Sequence, residues 1–132
     1  SGRRESYRFA PMPRMTCTFI EDGTHTRDEI IAAVDRGVIA ETYTAGQVRA
    51  GAGGFTFAVD TGWLVEGGRI TAPLRDFNLA GLGADALSGI TMVANDGRMD
   101  SGGWTCGKKG QQVPVSHGMP TVLISSLKVV ER

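Results

Sequence analysis

Phe55, Phe57 and Val59 alternate with Thr56, Ala58 and Asp60, the period-two repeat of a half-buried strand. Similar apolar runs predict strands at residues 14–20, 38–44, 47–49, 74–79, 90–94, 111–115 and 121–130. Trp63-Leu64-Val65-Glu66 and Arg69-Ile70-Thr71 flank Gly67-Gly68, which predicts a hairpin with a two-residue turn. Pro73 is expected to end that second strand or hold it at an edge, because proline has no N–H for a ladder. One stretch carries clear helical spacing. Ile30, Ile31 and Val34 line one side of a helix over residues 27–36. Thr26 and Glu29 fit a capping box, Asp28 adds negative charge to the first turn, and Gly37 suits the C-terminal cap. Residues 84–87 predict a short helical turn. The sum is an α+β domain, mainly antiparallel β, forming a sheet or partial barrel with one amphipathic helix and one short helical turn.

Charge removes two classes of partner. The 132 residues hold 14 lysines and arginines against 14 aspartates and glutamates, so no long-range field draws in nucleic acid or an anionic membrane. The densest basic cluster, Arg3-Arg4 with Arg8 and Arg14, is interrupted by Glu5 and by prolines. No apolar run approaches the roughly 20 residues that span a bilayer. Length and a 41% apolar content suit one domain, residues 1–132. Two cysteines without a framework of spacings point to reduced thiols and a cytoplasmic setting. The 19 glycines are dispersed, so they mark turns, bulges and close backbone approaches, not a linker.

Candidate chemistry concentrates in Gly103-Trp104-Thr105-Cys106-Gly107-Lys108-Lys109-Gly110-Gln111-Gln112-Val113-Pro114-Val115. Here one thiol sits among glycines beside two lysines, in a loop without helical periodicity. Neighbouring positive charge favours the thiolate, and glycines let a metal or substrate approach. The plainer reading of Cys106 is a buried free thiol that packs as a small apolar residue. Lys108, Lys109 and Gln111 could orient Cys106 or hold a developing oxyanion, and Lys108 and Gln111 are the substrate-binding candidates; solvated loop lysines are the alternative. Gly51 to Gly54, beside Gln47-Val48, could let an extended peptide pair with a sheet edge, with Gly53 and Gly54 as contacts, although a bulge would use the same glycines. Cys17 reads as a strand residue, His25 as a solvated histidine before the helix and His117 as a turn histidine that could reach Cys106. Asn95, Asp96 and Asp100 read as turn chemistry.

These residues carry a family resemblance. Glu5-Ser6-Tyr7-Arg8-Phe9-Ala10-Pro11-Met12-Pro13-Arg14-Met15-Thr16 resembles the opening of the C-terminal domain of TldD/PmbA proteins. The segment from Gly103 to Val115, with Gly118, Pro120 and Thr121, resembles the closing signature of the TldD branch. Between them Gly54-Phe55-Thr56-Phe57, the Glu66 to Ile70 hairpin and Pro73 fall in the same order, so the likeness covers nearly the whole chain. Cys17, Trp104, His117 and Met119 depart from the family's usual residues.

The resemblance implies the C-terminal domain of a longer zinc-dependent peptidase that cleaves unfolded or extended peptides. In that family an upstream His-Glu-x-x-x-His helix supplies two histidines and the general base, and Cys106 matches the position of the third protein ligand. The catalytic base is therefore expected outside this chain, zinc is expected only with the upstream ligands, and the isolated chain is expected to be inactive. The resemblance also implies a homodimer or a heterodimer with a TldE/PmbA-like subunit. The family's other label, modulator of DNA gyrase, gains no support from a neutral chain. The alternatives are a non-catalytic partner subunit of the TldE/PmbA kind, which lacks the cysteine, or a structural or peptide-binding module.

Overall fold

The computed structural model describes residues 2–49 and 51–131. Among them, the chain runs β1 (Gly2–Arg3), β2 (Met12–Pro13), β3 (Cys17–Phe19), α1 (Arg27–Ala32), β4 (Arg36–Val48), β5 (Gly54–Glu66), β6 (Arg69–Leu82) and α2 (Gly83–Ser88). It continues through β7 (Ile90–Val93), β8 (Arg98–Met99), β9 (Trp104–Lys108), β10 (Gln111–Met119), β11 (Val122–Ile124) and β12 (Lys128–Glu131). Most strands pair antiparallel, as expected, in several sheets that do not close into a barrel among the described residues.

A four-stranded sheet in the order β12-β6-β5-β4 forms the body of the fold. Its alternation buries Val59 and Val65 from β5 and Phe77 from β6, each 5% exposed or less. Gly67 and Gly68 make the expected two-residue turn, with φ of 56° and 74°, the conformation that glycine adopts without strain. A second requirement acts on Gly68, where an added Cβ would lie 2.8 Å from the Ala32 carbonyl oxygen. Helix α1 lies against this turn: Gly67 N–H donates to Asp35 O at 2.7 Å and Gly68 N–H to Val34 O at 2.8 Å. The apolar face of α1 buries Ile30, and its capping box is complete, with Thr26 and Glu29 each accepting from the other's backbone N–H.

Several boundaries differ from the sequence reading. The helix ends at Ala32 with Ala33 as its cap, and Gly37 lies in β4 instead, because the chain turns into the sheet as soon as the helix has docked. The two strands expected at 38–44 and 47–49 are one, β4, whose pairing with β5 shifts register between Ala40 and Ala45. Residues 69–71 and 74–79 likewise belong to one strand, and Pro73 stands inside β6 opposite Trp63. It is tolerated there because β12 pairs only with residues Phe77 to Ala80, leaving β6 as the sheet edge beside Pro73. The strand expected at 14–20 shrinks to β3, and the run at 121–130 divides into β11 and β12.

Strand β10 organises the second half of the fold. It pairs antiparallel with β9 and β8, and parallel with β3. A shallow hollow of about 210 Å³ lies at its C-terminal end, bordered by Phe19, Met99, Gly118 and Met119, and Cys106 does not line it.

Candidate metal centre

Cys106 lies on β9, not in a loop. The turn that makes this possible is Lys109-Gly110, with φ of 49° and 72°, the same two-residue geometry as Gly67-Gly68. Lysine at the first turn position hid the hairpin from a reading that looked for paired glycine or asparagine. Across the ladder Cys106 faces Val113, Trp104 faces Val115 and Lys108 faces Gln111. Opposed residues share a face, so Cys106 lies on the side that carries Val113 and Gln111, which are 2% and 3% exposed. Its thiol is half-buried and free.

Beside it lies a residue that the sequence reading placed in a broken basic cluster, at the start of a strand and within the opening motif. Arg14 is 6% exposed and belongs to no surface patch. Its Nη2 donates to the carbonyl oxygen of Cys106 on β9 and, at 3.1 Å, to that of Gln111 on β10. Its Nε and Nη1 are also buried and have no hydrogen-bond partner. The guanidinium beside the sulfur is the chief cause of a thiol pKa held below its ordinary value. Burial works in the other direction, while the Met15 N–H and the positive charges of Arg14 and Lys108 add to the lowering. The arrangement favours a thiolate, the form that binds metal. One signal for Arg14 was available: it sits inside the opening motif, directly after Pro13, where an arginine has no helical face to solvate.

The other named residues are placed as follows. Lys108 donates from Nζ to Pro13 O at 3.2 Å, so it ties the hairpin to the N-terminal segment. Gln111 is buried and accepts from Glu5 N–H at 3.2 Å through its side-chain oxygen, while Gln112 N–H donates to Glu5 at 2.8 Å. Gly53 lies in the β4–β5 turn and Gly54 opens β5 of the long sheet, and an added Cβ at either would meet nothing within 4 Å. The adjacent strand β4 is an outer strand of its sheet.

His117 is a strand residue, not a turn residue. Its ring centroid lies 5.1 Å from that of Trp104, and its Nε2 is 3.6 Å from Asp100. Asp100 also accepts from Gly102 N–H at 2.6 Å, the chief cause of its lowered pKa. Cys17 pairs opposite Ser116, one step out of phase with Val113 and Val115, and is therefore on the other face from Cys106. Asp96 is occupied elsewhere, accepting from the N–H and hydroxyl of Thr121, both at 2.7 Å.

Among the described residues no group of three or more histidine, cysteine, aspartate or glutamate side chains could hold a metal ion. The donor chemistry of Cys106 suits zinc as one ligand, and a catalytic zinc site takes three from protein. Among the described residues no helix is long and apolar enough to cross a membrane.

Comparison with known proteins places this β-rich domain in a class. Residues 1–131 match the PmbA/TldA metallopeptidase C-terminal domain, and the chain belongs to that family. It is 42% identical over 129 residues to the metalloprotease TldD homolog of Buchnera aphidicola from Schizaphis graminum, covering 98% of this chain and 27% of that protein. It is 33% identical over 129 residues to the zinc metalloprotease TldD homolog of Saccharolobus solfataricus, covering 98% of this chain and 28% of the other. The crystal structure of TldE from Thermococcus kodakarensis shares the fold, with a TM-score of 0.74 at 18% identity, covering 98% of this chain and 27% of that one. The chain thus spans about a quarter of the length of the curated relatives it matches.

Proposed function

We propose that this chain is the C-terminal domain of a cytoplasmic TldD-like zinc peptidase and that Cys106 is its contribution to the metal. The observation that carries the reading is the placement of Cys106, a half-buried thiol on a tethered hairpin with a buried guanidinium against it. A sulfur held so is ready to ligate, and relatives named metalloprotease and zinc metalloprotease match along nearly the whole chain. The two remaining protein ligands and the general base come from a His-Glu-x-x-x-His segment elsewhere in the protein. Zinc bound there supplies a Lewis acid that polarises a peptide carbonyl and makes water a nucleophile near neutral pH.

The chain's own residues have narrower tasks. Cys106 binds, and Lys108 and Gln111 hold the hairpin on which it sits against Pro13 and Glu5. The outer strand β4, ending beside Gly53 and Gly54, is where an extended substrate's backbone could pair without regard to its side chains. The partner is a second subunit of the same family, identical or TldE-like, with neither nucleic acid nor membrane involved. Alone, the chain is inactive.

Replacing Cys106 by alanine in the full-length protein tests the reading. Zinc content should fall well below one per site, and cleavage of an unfolded peptide should fall by at least about 100-fold, the upper range for loss of a mere supporting contact. Native zinc content and cleavage in that variant would remove Cys106 from the centre.

A further inference from the structure

We propose that Arg14 is the positioning residue of the metal-binding sulfur, clamping the β9–β10 hairpin through Nη2 and offering its remaining N–H donors to the bound Cys106 thiolate. The inference rests on the reading of Cys106 as a ligand. It starts from an imbalance. A buried guanidinium presents five N–H donors in a fixed fork and is charged at every accessible pH. Here Nη2 is committed to two carbonyl oxygens, one on each strand of the hairpin, while Nε and Nη1 are buried with no partner. None of the ion pairs among the described residues involves Arg14. Buried charge without an anionic partner is strongly unfavourable, and structures retain it where a partner arrives.

The neighbouring group able to carry the missing negative charge is the Cys106 thiolate. A ligand's outer partners commonly fix its direction and tune its electron donation. The fork does both from one residue. By gripping the Cys106 and Gln111 carbonyls it sets the height of the sulfur above the sheet. By donating toward the sulfur it withdraws charge that the thiolate would otherwise give to the metal, keeping the metal a stronger Lewis acid. Lysine cannot reproduce this, because its single ammonium cannot grip two carbonyls and a sulfur in one plane.

Cobalt-substituted full-length protein gives a readout separate from catalysis, since a thiolate on cobalt(II) produces a sulfur-to-metal charge-transfer band. Arg14→Met should lower zinc affinity, measured by chelator competition, about 10- to 100-fold and move that band to longer wavelength. Arg14→Lys should fold with intermediate affinity and a smaller shift. It decides the matter if the methionine variant does not fold. Native affinity and an unmoved band in Arg14→Lys, or in a folded Arg14→Met, would overturn the inference while leaving Cys106 a ligand. A native cobalt protein with no charge-transfer band that Cys106→Ser removes would overturn the ligand reading itself, and this inference with it.

Discussion

The β5–β6 and β9–β10 hairpins each turn through two positive-φ residues, yet the first carries the core and the second carries the proposed ligand. The first has strands of 13 and 14 residues and buries Val59, Val65 and Phe77. Along β5 it pairs with β4, which directly precedes it in the chain, and the residues that follow α1 dock on its turn. The second has strands of five and nine residues, and many of its β9 side chains face solvent. It is fixed by tethers from far away: Arg14 reaches Cys106 across 92 positions and Gln111 across 97, and Glu5 reaches Gln112 across 107. A core tolerates approximate placement if volume is filled, whereas a ligand must be held within about half an ångström. For Cys106, the proposed ligand, long-range polar tethers supply that placement beside the single buried apolar side chain of Val113.

The sharpest way to break the contrast is to damage the first hairpin. Phe77→Ala should destabilise the whole domain by about 3–5 kcal/mol, read from denaturant midpoints, because the ring is 5% exposed and lies over Gly62. A loss below 1 kcal/mol would mean that the long sheet does not carry the core. A smaller effect is expected at the second turn. Gly110→Ala forces a Cβ into φ of 72° and should cost about 1–2 kcal/mol. Faster hydrogen exchange should be confined to amides of β9 and β10. Equal acceleration throughout the long sheet would show that the two hairpins fold as one unit and would end the distinction drawn between them.

The same contrast explains what could be read from the chain without its structure. The Gly67-Gly68 turn, the alternation in β5 and the capping box are signals spread over fewer than about ten residues, and each appears where expected. The membership of the chain in its family was legible too, in the two end motifs. What was hidden depends on residues distant in sequence. The place of Arg14 in the opening motif marks it out but does not say that it will be buried beneath a hairpin some ninety residues later, and nothing in Gln111 distinguishes a buried tether from a loop contact. Cys106 was visible as chemistry but not as a strand residue, because a lysine occupies a turn position usually held by glycine or asparagine. Gly37 misled for a related reason: the helix stops four residues earlier, where the N–H groups of Ala33 and Val34 close its last turn on the Glu29, Ile30 and Ile31 carbonyls without a glycine.

The smallest effect sharpens the contrast from the local side. Thr26→Ala removes the hydroxyl that accepts from Glu29 N–H at 3.2 Å, which should lower stability by about 1 kcal/mol. The partner arm of the box makes this pH-dependent. Glu29's carboxyl is held below its ordinary 4.5 chiefly by the Thr26 N–H, with the Thr26 hydroxyl and His25 adding. A depressed folded-state pKa means that the carboxylate stabilises the native form above the unfolded value, and that this contribution disappears as pH falls through the folded one. The melting temperature of Glu29→Gln should therefore lie below that of the native chain near pH 7 and converge with it as the pH falls below 4.5. Because neither hydrogen bond of the box reaches the β9–β10 hairpin, zinc affinity in the full-length protein should be unchanged in both variants. A drop in zinc binding there would couple the helix to the ligand hairpin and erase the division between local core and tethered site.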